Sequence, residues 1–320
     1  MSARLKLAAK VVLSGLILWI LATRIDWPKL TAVLGSVRRA VLAGAFLVLF
    51  VQQFLMVLTW LLVIRHAAGP MRLRAVLYAH LVGNFYGTLL PSSLGIDVVR
   101  ALYLKRFGTP VTEAAATLVT TRAIGFGALF FLAGCAYFFP SSREMLYRFG
   151  PALVLCFGVF LCCLAAVAWP RVLLPLERAL QRTRASRLAQ TVAGIRQAFA
   201  ASFRGGQSIL LVFALSIVYQ CLGVIIVYLL GLSVGAIASP AVYLFVVPAV
   251  TILTAIPIAF AGLGVREASF VALLGQVGVP AEVAFSVSLL FFVQALFLAA
   301  LGGLVHWASA LDQHAADSSA

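Results

Sequence analysis

Apolar runs of about 17 to 25 residues recur along this chain, near 7–23, 41–64, 113–139, 150–170, 207–231 and 282–307. Each is as long as a helix must be to cross a hydrocarbon core of roughly 30 Å. The chain is 63% hydrophobic and 10% charged, with a mean hydropathy of +1.10, whereas a soluble domain is nearer half apolar. These features predict an all-α polytopic membrane protein, with about six full spans in a single transmembrane domain over 1–320. The basic start followed by VVLSGLILWILA imitates a secretory signal, but the later spans favour a retained first helix.

Two further regions, 75–106 and 241–280, read differently. Each holds an apolar stretch, a Pro/Gly break and a second amphipathic stretch, which predicts a re-entrant helical hairpin. LLPSSLGIDVVRALYLKRFG (89–108) and AIPIAFAGLGVREASF (255–270) match in spacing: Pro91 to Arg100 and Pro257 to Arg266 are both intervals of nine, and each arginine follows a valine. This predicts an internal repeat, with one half near 41–139 and the other near 207–307. Paired, interrupted apolar segments at matching positions of two halves point to a transporter's binding site.

Charge sets the orientation. The excess of 24 basic over nine acidic residues, +15 in all, is expected of cytoplasmic loops in a membrane protein. The sequence lacks the aromatic and basic groove, RNA-binding signature or zinc-finger spacing that would direct it to nucleic acid. The segment 171–206 carries seven arginines against the single acid Glu177 and is expected to be cytoplasmic. Propagated along the spans, that places both termini in the cytoplasm and makes the halves inverted, their hairpins entering from opposite sides. Within the loop, Leu188, Val192, Ile195, Phe199 and Phe203 form an apolar stripe of helical period. It suits either a helix at the anionic membrane surface or a solvated loop helix.

Intramembrane ions are costly and persist only with partners or a use. Here they are Asp97 and Arg100 in the first hairpin, Arg122 in the third run, and Arg266 with Glu267 in the second hairpin. A hairpin tip leaves N–H donors at the start of its returning half-helix, and these attract anions such as a lipid phosphate. Pro91, Ser92, Ser93 and Gly95 would shape the first tip, and Pro257, Gly262 and Gly264 the second, where glycine lets a ligand approach the backbone. Arginine contacts phosphate bidentately, so Arg100, Arg122 and Arg266 are expected to form an anionic headgroup clamp. Asp97 and Glu267 would sit in the first turns of their half-helices, favourably placed against the dipole, and could pair with arginines across the repeat. Asp97 and Arg100 share a helix face, whereas Arg266 and Glu267, as sequence neighbours, are expected not to face each other. The alternative is that these ions only pin the hairpins together. Asn84 could bond the tip or a headgroup, or serve as an interhelical amide.

Other polar residues have plainer readings. Glu113 and Glu282 follow Pro110 and Pro280 and read as helix N-terminal acids, with proton coupling as the alternative. The five cysteines sit in apolar runs without a CxxC pair, and the four histidines have no metal spacing, so no cofactor or metal is expected.

At the two hairpin motifs the sequence resembles the membrane domain of lysylphosphatidylglycerol synthase/flippase proteins and their stand-alone flippase-like relatives. Asn84, Pro91, Gly95, Asp97, Arg100, Gly108 and Arg122 carry the resemblance in the first half, and Pro257, Gly262, Gly264, Arg266 and Glu267 in the second. It implies movement or handling of lipids across a bacterial cytoplasmic membrane. The chain ends near Ala320 without the fused proteins' aminoacyl-transferase domain, so synthesis of lysyl-lipid by this polypeptide is not expected.

The leading expectation is therefore a non-enzymatic translocator of an anionic phospholipid or lipid-linked phosphate. Two alternatives are a non-catalytic membrane partner of a lipid-synthesis enzyme and an intramembrane lipid-modifying enzyme. For the last, GIDVVRALYLKRFG superficially resembles an Asp-rich phosphatidyl-transferase motif, but it holds one Asp where metal-assisted chemistry needs several carboxylates.

Overall fold

The computed structural model describes residues 3–90, 95–168, 199, 206–256 and 262–318. Within them the chain is helical, with no strand. α1 (Ala3–Arg24) turns through 88° at Ile25 and Asp26 into α2 (Trp27–Gly35). Asp26 caps α2 by accepting from the Lys29 N–H at 3.2 Å, and its own N–H donates to Glu282 Oε1 at 3.4 Å. Glu282 thus serves the bend between α1 and α2.

Four helices follow: α3 (Arg39–Ala67), α4 (Leu73–Leu89), α5 (Gly95–Lys105) and α6 (Val111–Cys135). After a single 3₁₀ turn comes α7 (Pro140–Ala168). A second set of four then runs α8 (Gly206–Ser233), α9 (Pro240–Ala255), α10 (Val265–Gly275) and α11 (Ala281–Ser318). The lengths 29, 17, 11 and 25 residues in the first set recur as 28, 16, 11 and 38 in the second.

Among the described residues, five stretches are long and apolar enough to cross a membrane (39–67, 111–138, 140–165, 209–233 and 281–309), and the bent pair of α1 and α2 makes up to six. The expected spans are all present as helices, the fourth starting earlier, at Pro140. None of the apolar window of α7 is buried within the protein, against half of it in α6 and α11. A helix apolar all round and unburied by protein is stable only against hydrocarbon, which puts α7 at the periphery.

The buried apolar residues form two larger clusters, one within the first set of four helices and one that joins the second set to Ala45 and Leu49 of α3 and Leu132 of α6. Trp60, Ile64, Val76 and Leu104 pack among α3 to α6, while Leu230, Tyr243, Phe245, Phe270 and Leu274 pack among α8 to α10 and against α11. Between the halves, α3 packs along α8, α4 along α11, and α9 along α6. The last two are equivalent pairs when the halves are exchanged. α4 and α11 approach closely because Gly302 has no side chain: a Cβ there would lie 2.0 Å from the Leu81 carbonyl oxygen.

The Arg-rich loop, with its apolar stripe, lies outside the described residues except for the buried Phe199 and for Gly206, where α8 begins.

Candidate functional site

The first hairpin closes through a pair of glycines. A Cβ on Gly87 would fall 2.1 Å from Ile96 Cγ1, and one on Gly83 would fall 2.5 Å from Arg100 Cγ. One contact steps four residues back as its partner steps four forward, so α4 and α5 run antiparallel. Small residues four apart allow this backbone approach in membrane helices. Gly83 thereby leaves room for the stem of Arg100, whose guanidinium also stands 6.0 Å from the Trp60 ring centroid. At the break, Gly95 lets Leu90 pack where a Cβ would be 2.7 Å away. Pro91, Ser92 and Ser93 lie outside the described residues.

The charged groups of this half converge. Arg100 donates from Nη1 to Asp97 Oδ1 at 3.4 Å and from Nη2 to Asn84 Oδ1 at 2.9 Å. Arg122, reaching in from α6, donates from Nε to the other oxygen of Asp97. Asn84 is therefore an interhelical amide that positions Arg100. Its Nδ2 lies 3.3 Å from His80 Nε2, which is 2.9 Å from Gln53 Oε1.

Of these, Gln53, His80, Asp97, Arg100 and Arg122 line a cavity of about 330 Å³ between the halves. Its charged wall consists of Asp97, Arg100 and Arg122, with His80 beside them, and Tyr219, Gln220, Val247, Thr251 and Phe291 close it from the second half. A second cavity of about 260 Å³ adjoins it, sharing Gln53, Arg100, Tyr219 and Phe291 and adding Gln52, Asn84 and Gln294. Two arginines against one carboxylate, in a pocket with otherwise neutral walls, suit an anion.

The second hairpin is arranged otherwise. Gly264, at φ +83°, donates its N–H to Glu267 Oε2 at 2.7 Å, so the N-terminus of α10 is capped by its own side chain. A Cβ on Gly264 would lie 3.1 Å from Ile17 Cβ, so this glycine faces α1. Gly262 also has positive φ, +76°. Arg266 bonds Glu267 Oε1 through Nε at 3.0 Å and through Nη2, and Ser288 Oγ accepts from Nε at 3.2 Å. The expectation that these neighbours would not face each other fails. The cap pins Glu267 over the end of α10, and the long guanidinium stem curls round the first turn to meet it. Pairing across the halves is also not what forms: Asp97 and Glu267 each bond arginines of their own half. Arg266 lines neither cavity, and its guanidinium lies 5.0 Å from the Phe292 ring and 6.0 Å from Phe291, which lines both. Pro257 lies outside the described residues.

A family model for the lysylphosphatidylglycerol synthase TM region matches residues 7–303. The chain belongs to that family. No curated protein matches it significantly. The matched range includes both hairpins and all the cavity-lining residues.

The charge pattern missed the uncharged half of the site: Gln53, His80, Tyr219, Gln220, Phe291 and Gln294. The signal available was an amide within an apolar run, as at Gln52, Gln53, Gln220 and Gln294. Similarly, GNFYG at 83–87 is a G-x-x-x-G motif that marks the close approach of two helices.

Proposed function

We propose that this protein is a non-enzymatic translocator of an anionic phospholipid or lipid-linked phosphate, with both termini cytoplasmic in a bacterial inner membrane. The observation that carries this reading is the cavity between the halves, with Arg100, Arg122 and Asp97 in its wall. α5 begins at Gly95 and carries Asp97 in its first turn and Arg100 in its second, which brings a helix N-terminus to this wall. The phosphate bonds the two guanidiniums and the first N–H groups of α5, while the acyl tails stay in lipid.

In this reading the hairpins are re-entrant and the two four-helix sets are an inverted repeat. The recurring helix lengths and the paired packing of α4 on α11 and α9 on α6 support it. Inversion supplies an alternating mechanism. In the arrangement described here the first hairpin meets the headgroup. When the opposite side opens, Arg266 leaves Glu267 and Ser288 and takes the equivalent place.

The test is fluorescent-lipid scrambling in proteoliposomes, with phosphatidylglycerol, phosphatidylethanolamine and polyprenyl-phosphate probes. A lost bidentate arginine contact of about 3 kcal/mol corresponds to roughly 100-fold. Arg100→Ala and Arg266→Ala are each expected to slow anionic probes by about that factor while the proteins stay folded. Full transport in both variants would sink the clamp. Loss in Arg100→Ala alone would confine the site to the first half. No movement of any probe by folded wild type would reject translocation in favour of a partner role beside a lipid-synthesis enzyme.

A further inference from the structure

The 260 Å³ cavity beside the charged one contains a polar group that the protein itself does not use. Gln294, on α11, is 2% exposed, and among the described residues neither its Nε2 nor its Oε1 has a hydrogen-bond partner. Its neighbours in the wall are already engaged. Asn84 holds Arg100 and meets His80, and Gln52 donates to the Tyr219 carbonyl at 3.1 Å. A buried amide without partners opposes folding, and an apolar side chain of the same shape would be neutral or better there. Gln294 is therefore explained by something that enters the cavity and bonds it.

The chemistry of that group follows from the wall. A carboxamide is uncharged and offers both donors and an acceptor, which suits a hydroxyl, itself donor and acceptor. Arg100 lines both cavities. A phosphate held by Arg100 on the charged side would lie beside the cavity that Gln294 lines, within reach of its ester substituent. The space would hold several waters, one of which occupies about 30 Å³ in the liquid, and so admits a small polyol.

We infer that Gln294 reads the neutral, hydroxyl-bearing part of a phosphodiester headgroup, such as glycerol, while the arginines hold its phosphate. This deepens the translocator reading and rests on it for one of its two readouts.

The experiment compares phosphatidylglycerol with phosphatidylmethanol of the same acyl chains, which carries the same phosphodiester charge but no hydroxyl. Both are tested for scrambling in proteoliposomes and for binding to the detergent-solubilised protein by native mass spectrometry. Wild type should favour phosphatidylglycerol by about tenfold, the loss expected when a hydroxyl leaves buried polar groups unpaired. Gln294→Leu should abolish the preference by weakening phosphatidylglycerol alone, leaving phosphatidylmethanol unchanged and the melting temperature no lower. An equal loss for both lipids, an unchanged ratio or no wild-type preference would overturn the inference. If neither protein moves lipid, translocation fails, and the binding ratio still decides the role of Gln294 by the same criteria.

Discussion

The two hairpins match in helix length and in the spacing of proline and arginine, yet they treat their charges in opposite ways. In the first, one carboxylate, 14% exposed, serves two arginines from different helices at the edge of a cavity. In the second, one carboxylate, 7% exposed, serves one arginine, a hydroxyl and the backbone N–H that begins its own helix. Similar sequence motifs therefore produce an open ionic wall in one half and a closed latch in the other. What differs is where the carboxylate sits. Asp97 lies three residues before its arginine and shares its face, while Glu267 lies one residue after it, at the third helical position, where a side chain reaches back to cap the end.

The largest expected effects come from removing those carboxylates. Asp97→Asn and Glu267→Gln each leave a poorly solvated cation, and breaking one side of a buried pair costs about 3–5 kcal/mol. The comparison sharpens when phosphatidylglycerol is added to the purified proteins. An anionic headgroup can replace the missing charge where the arginines face a cavity, and ligand at 100 times its Kd adds about 2.7 kcal/mol. Thermal melting should therefore show lipid restoring Asp97→Asn by more than it restores Glu267→Gln. Equal rescue of both would show that the second hairpin is as accessible as the first.

Glycine substitutions separate the hairpins next. Gly87→Val places atoms within 2.8 Å of the Ile96 Cα, which is backbone and cannot rotate away, so a cost of about 3 kcal/mol or more is expected. At Gly262 the nearest obstacle to a Cβ is Thr254 Cβ at 3.3 Å, and the cost of Gly262→Ala is mainly that of a positive φ, about 1–2 kcal/mol. Melting temperatures in the same detergent check the order. A larger loss at Gly262 would mean that the second turn, rather than the close contact of limbs in the first, is the tighter constraint.

The sequence made the crossings and the two interruptions legible because both depend on local properties: apolar length, and the placement of Pro and Gly. It also brought forward Asp97, Arg100 and Arg122, since ions in apolar runs stand out. It also placed Asp97 and Arg100 on one helix face, where they meet, but it did not give the other pairings. Arg122 reaches Asp97 from another helix, and Glu267 turns back to its own helix end, outcomes decided by packing and capping. Gln294 was harder still. An amide in an apolar run can serve as interhelical glue, as Gln220 does by donating to the Gly125 carbonyl at 3.2 Å, and only the surroundings distinguish the two.

The smallest effect tests the latch itself. Ser288 accepts from Arg266 Nε and sits 3.3 Å from Glu267 Oε1, so it helps hold the pair without supplying charge. Ser288→Ala removes hydrogen bonding worth about 1 kcal/mol and leaves the arginine and glutamate together. If Arg266 must leave Glu267 for the opposite side to open, that loss makes release easier. Lipid movement should then quicken by up to roughly fivefold, while the thermal midpoint falls slightly. A variant that moves lipid more slowly at unchanged stability would place Ser288 in contact with cargo and remove the contrast between an open first hairpin and a latched second one.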